Sequence, residues 1–164
     1  MKILVLGLGN PLVCDDSVGL RVASRLAARL ADRPEIDVSE DHWGGLRLME
    51  RMVGYDRVIV IDAICTGAPP GTLHRLNPAS IPTQKSASAH DVNLPTALAF
   101  GRQGGLRLPR DEDIQLVGIE AEDVLTFCER CTPAVEAAIE PAVAEVLRML
   151  AGEFPRSTDP PPLG

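Results

Sequence analysis

Residues 57–76 read RVIVIDAICTGAPPGTLHRL, and this stretch decides the fold. Arg57 to Asp62 is the strongest strand pattern in the chain, an apolar run closed by an acid. The segment CTGAPPG, residues 65–71, reads as a loop. A short strand, Thr72 to Leu76, follows it. No helix fits between the two. A parallel return needs a crossover of about a dozen residues or more, so this strand is expected to run antiparallel to its predecessor.

Upstream, Ile3 to Leu6 is continuously apolar, as suits a strand buried on both faces of a parallel sheet. Gly7, Gly9, Asn10 and Pro11 break it. From Ser17 to about Leu30 the pattern turns helical. Val18, Val22, Leu26 and Leu30 share one face and Arg21, Arg25 and Arg29 another, with Ser17 or Asp16 as the N-cap. Ile36 to Ser39 is a short strand near an edge. Gly44 to Met52 carries Leu46, Met49 and Met52 at helical spacing.

Downstream, residues 77–89 form a long loop and about Val92 to Arg102 a helix with Pro95 in its first turn. Ile114 to Ile119 is a second buried strand, and 120–133 a second long connection. Pro133 to Leu150 is a helix with Val135, Ile139, Val143, Val146, Leu147 and Leu150 inward. The fold class is therefore α/β: a three-layer α/β/α sandwich around a five-stranded, mostly parallel sheet with its fourth strand antiparallel. Residues 1–152 are expected to form one domain. Residues 153–164 form a Pro-rich tail, with four prolines in the last ten residues, and its expected state is disorder.

Composition removes several classes of function. The 164 residues carry 16 basic and 23 acidic side chains, a net charge of −7, and only 3% aromatic residues. Neither phosphate-backbone binding nor base stacking is favoured, so no nucleic-acid partner is expected. No apolar run reaches the length of about 18 residues of a membrane span, and no small-residue cleavage site follows the apolar start. A cytoplasmic, soluble, monomeric protein with no membrane partner is expected. Its four cysteines, at 14, 65, 128 and 131, read as reduced thiols. Cys128-x-x-Cys131 lacks the second ligand pair of a structural zinc site.

Ligands of an open α/β sheet gather at the carboxyl ends of its strands. Asp15 and Asp16 lie in the loop leaving the first strand. Asp62 ends the third. His90 lies in the long loop ahead of the third helix. Two carboxylates and an imidazole converging on one edge suit a divalent transition metal. Asp16 as a mere cap, Asp62 bound by loop amides and His90 solvated are the bland alternatives. His42 either joins the site or packs beside Trp43, and His74 is expected to be exposed. The Gly7–Pro11 segment lacks the third glycine of a dinucleotide fingerprint.

GLGNP also opens the peptidyl-tRNA hydrolases, but the following VCDDSVG lacks their histidine. The residues resemble another family far more closely: the endopeptidases that mature the large subunit of nickel–iron hydrogenases. Gly7 to Gly19 is similar to their opening GxGNxxxxDDGxG, with Ser17 at a usual glycine. Asp62-Ala63 is similar to their second acidic motif and His90 to their third. Val117-Gly118-Ile119-Glu120, Leu125 and Thr132-Pro133-Ala134-Val135 resemble their VGxEP…LSPxV region, with Ala121 at a usual proline. The resemblance spans about residues 2–150. It implies a strand order 2-1-3-5-4 and an enzyme that removes a C-terminal extension from the large-subunit precursor after nickel insertion. It also implies that Asp16, Asp62 and His90 engage the nickel the precursor presents and serve the hydrolysis. Another divalent metal in the isolated protein is the second cofactor reading. Metal-assisted hydrolysis is favoured, because neither GxSxG nor HExxH is present. A nickel-sensing or metallochaperone module with the same three ligands is the alternative.

Overall fold

The computed structural model describes residues 1–42, 44–78 and 94–153, with side chains to residue 152. The elements, in chain order, are β1 (Ile3–Leu8), α1 (Val18–Arg29), β2 (Ile36–Asp41), α2 (Gly45–Met52), β3 (Arg57–Ile64), β4 (Leu73–Leu76), α3 (Leu94–Gln103), β5 (Ile114–Glu120) and α4 (Pro133–Arg148). Their sheet order is β2-β1-β3-β5-β4. β1 lies parallel to β2 and β3, β3 parallel to β5, and β4 antiparallel to β5. The helix-free link after β3 leads to an antiparallel edge strand, as expected from its length.

The strands alternate between two cores because successive side chains point to opposite faces. Ile3, Val5, Ile59, Ile61, Val117 and Ile119 join α1 and α4 residues, among them Val22, Leu26, Ile139 and Val143. Leu4, Leu6, Val58, Val60, Ile114 and Leu116 join Met49 and Met52 of α2 and Leu98 of α3. The strands are thus covered on both sides, which explains their nearly continuous apolar runs. Asp62 has the parity of Val58, Val60 and Ile64, and so belongs to the α2–α3 side of β3.

Several local expectations change. β1, β2 and β3 each run two residues further than their patterns suggested, so Asp62 lies within β3 rather than at its end. In α2, Leu48 is buried and Leu46 exposed, because the apolar face runs through Leu48, Met49 and Met52. Leu147 and Leu150 only flank the core that Val135, Ile139, Val143 and Val146 enter. No side-chain cap closes the start of α1. The Ser17 hydroxyl instead donates to the Cys14 carbonyl (2.7 Å) and accepts from Arg21 Nε (3.0 Å). The final helical stretch reaches Glu153, the first residue assigned to the tail. The rest of the tail, residues 154–164, lies outside the described residues.

Candidate active site at the carboxyl edge of the sheet

Two glycines of the opening motif set the site. Gly9 has φ +152°, and a Cβ there would stand 1.9 Å from the Asp16 carbonyl oxygen. On Gly19, a Cβ would stand 2.3 Å from the carbonyl oxygen of Ile61 and 2.4 Å from that of Leu8. The turn from β1 into α1 therefore lies directly on β3 just before Asp62. Any larger residue would force the two apart. This close approach brings Asp16 to Asp62.

The half-buried Asp16 accepts one backbone hydrogen bond, Asn10 N–H to Oδ2 (3.0 Å). Asp62, also partly buried, accepts the Ala63 N–H at Oδ1 (2.8 Å). Burial first, and then the Asp16 carboxylate, push the Asp62 carboxyl up to about 8, against the Ala63 bond, which favours the charged form. A carboxyl so raised beside a second carboxylate is a poor structural device and a good receptor for positive charge.

Neighbouring Asp15 does something different. It is fully buried. Its oxygens accept from Glu122 N (2.9 Å), Asp123 N (2.8 Å), Thr132 N (2.7 Å) and Thr132 Oγ1 (2.8 Å). It ties the β1–α1 turn to the 120–133 connection. Glu120, also buried, plays the same part for the loop after β3. It accepts from Thr66 N, Thr66 Oγ1 and Ala68 N, each at 2.8 Å. Burial pushes its carboxyl up, but those bonds and the nearby His74 outweigh it and hold the carboxyl below its ordinary value. His74 is thus half-buried against Glu120, with Nε2 3.8 Å from Oε2, and not exposed as expected. The spacing of Asp15 and Glu120 from their partners, 107 to 117 and 46 to 54 residues, explains why no local pattern revealed these roles.

Cys65 is exposed at the same edge. Partial burial and the carboxylates of Glu120, Asp16, Asp15 and Asp62 raise its thiol, which disfavours the thiolate a cysteine nucleophile needs. Two of the other three cysteines depart from the reduced state expected of them. Cys14 and Cys128 form a disulfide, with Cα atoms 5.0 Å apart and 114 residues between them in sequence. The turn and the 120–133 connection meet as a short ribbon, with an antiparallel bridge Val13–Phe127 that places the two cysteines diagonally. Buried Cys131 lies beside them, its sulfur donating to the Cys14 carbonyl (3.5 Å). Thiol titration of the unreduced, denatured protein is expected to give two free thiols, Cys65 and Cys131, and four after reduction. Four thiols before reduction would show the pair to be open.

Among the described residues no three ligating side chains form a metal-holding group. His90 and Trp43 lie outside the described residues. His42 is exposed at the end of β2. Two surface recesses, one lined by Asp37, Ser39, Arg51 and Tyr55 and the other by Asp56, Arg57 and Arg110, include neither Asp16 nor Asp62.

The sheet order defines an α/β/α protein, and the carboxylate pair marks a candidate site towards the carboxyl ends of β1 and β3. A family model described as hydrogenase maturation protease matches residues 20–149. The Hydrogenase 2 maturation protease of Escherichia coli is 33% identical over 92% of this chain and 91% of its own length. The solved structure of the hydrogenase maturating endopeptidase HybD from E. coli superposes with a TM-score of 0.76 at 31% identity, covering 93% of this chain and 94% of that one. A hydrogenase 2 maturation peptidase from a Thaumarchaeota archaeon gives 0.67 at 27% identity, covering 92% and 99%. The chain belongs to the hydrogenase maturation protease family.

Proposed function

We propose that this protein is the endopeptidase that removes the C-terminal extension of a nickel–iron hydrogenase large-subunit precursor once nickel is in place. Asp16 and Asp62 engage the nickel that the precursor presents, with His90 as the third ligand. The observation that carries the reading is the Asp16–Asp62 pair, in which mutual repulsion and burial hold Asp62 ready to exchange a proton for a cation. Nickel here is part of the substrate. Engaging it fixes the scissile segment against the edge of the sheet, which is a positioning effect of the kind that lowers hydrolytic barriers most cheaply.

The test is incubation with nickel-loaded and nickel-free precursor, read by mass spectrometry. The nickel-loaded precursor is expected to shorten and the nickel-free one to stay intact. Asp16→Asn is expected to lower the rate by about 10²–10³-fold, the usual cost of removing one electrostatic group from such a site. A metallochaperone would bind nickel and leave both precursors at full length.

A further inference from the structure

The two most exposed large apolar side chains of the described residues are Leu125 (86%) and Phe127 (75%), and Leu12, beside them, is 64% exposed. All three belong to the ribbon that Asp15 and Cys14 clamp in place. Cys14 N–H donates to the Thr126 carbonyl (3.0 Å), Cys128 N–H to that of Leu12 (3.2 Å) and Asp15 N–H to that of Asp123 (2.9 Å). Leu12 precedes Asp16 by four residues, so the ribbon stands within about 14 Å of chain from the carboxylate pair. Asp123 rigidifies its other arm by accepting the N–H groups of Leu125 and Thr126 (3.0 and 2.9 Å). The apolar side chains are thus held out on a fixed support rather than on a loose loop. That arrangement fits a contact surface and has no role in the fold's own cores.

We propose that the Leu12–Leu125–Phe127 ribbon is the surface on which the large-subunit precursor docks, an inference that rests on the function proposed above. Three observations favour this occupant. The ribbon is continuous with the edge where the scissile segment must lie. Asp15 and Asp123 hold the ribbon's arm in place, so a protein partner packs on it without first ordering a loop. The edge's carboxylates, Asp16 and Asp62, with exposed Glu122 and Glu129 near the ribbon, complement a partner that brings a metal cation and basic side chains to an apolar contact.

The test compares the full chain with its Leu125→Ser/Phe127→Ser variant on nickel-loaded precursor. KM is expected to rise about tenfold or more, as for an interface anchor, with kcat changed less than twofold. Phe100→Ser, at a side chain of comparable exposure (66%) on α3, is expected to leave KM as it was. Precursor binding is measured in parallel by biolayer interferometry in an Asp62→Asn background, where the double substitution is expected to raise Kd about tenfold. If the unsubstituted chain cleaves nothing while the double substitution still weakens binding, the proposed function fails and the docking surface stands. Unchanged KM and Kd overturn the docking surface. So does a parent that sediments as a dimer which the double substitution dissociates, because the ribbon would then be a self-interface.

Discussion

Asp62→Asn is expected to abolish precursor processing, by about 10²–10³-fold or more, while making the protein more stable. The two effects have one cause. Asp62 is held against its preference for ionisation by burial and by Asp16, so its carboxyl lies at about 8 in the folded chain and near the ordinary carboxylate range when unfolded. A carboxyl raised by folding binds its proton more tightly in the native state. The native state therefore has its full stability below about pH 4 as far as this group is concerned, and loses it as pH rises towards 8. The neutral amide carries no such penalty. The stability difference between variant and parent should grow from pH 5 to pH 8 and reach on the order of 2 kcal/mol, after allowance for the partial solvent access of Asp62. Urea midpoints at pH 5, 6, 7 and 8 read it directly. A parent as stable as the variant at pH 8 would show that Asp62 is not held against ionisation. A variant that processes nickel-loaded precursor at the parent's rate would remove Asp62 from the site.

Asp15→Ala is expected to destabilise the protein by about 3–4 kcal/mol, although Asp15 touches no proposed ligand position. The substitution leaves three backbone N–H groups and the Thr132 hydroxyl, all part-buried, without the acceptor that Asp15 now supplies. Unpaired buried donors cost about 1–3 kcal/mol each, and partial relaxation of the 120–133 connection recovers some of that sum. The melting temperature should fall by about 10 °C. Asp15→Asn is also expected to be costly, because an amide nitrogen cannot accept from the donors that face it. Asp16→Ala, losing a single bond from Asn10, should cost under about 1 kcal/mol. The two adjacent aspartates are thus expected to separate in these measurements, one changing stability and the other the rate. A loss under 1 kcal/mol for Asp15→Ala in chemical denaturation would show that the connection is anchored elsewhere.

The two recognition-level readings, nickel-dependent processing and apolar docking, make complementary demands on the precursor. The carboxylates require positive charge and the ribbon requires apolar surface. Asp15 and the Cys14–Cys128 pair keep these two features in fixed register, because both connect the turn bearing Asp16 to the arm bearing Phe127.

Much of the architecture was open to reading in one dimension. Strand and helix periods are local, so Val58–Ile61 and Val18–Leu26 announce their own conformations and faces. The link between Asp62 and Thr72 is too short for a crossover, which sets the direction of β4 before any contact is known. Asp16 and Asp62 could be proposed together because each lies towards the carboxyl end of a parallel strand, and parallel strands end on one edge. Three other features depend on which loops pack on which. The Cys14–Cys128 bond spans 114 residues and arises only because the β1–α1 turn meets the 120–133 connection. His74 faces inward because β4 pairs with β5 beside Glu120. Asp15 and Asp16 are chemically identical and adjacent, yet the tertiary fold buries one against four donors of the 120–133 connection and leaves the other beside Asp62. Local pattern encodes period and direction, whereas the partner of a buried polar group is a long-range choice made by the packed chain.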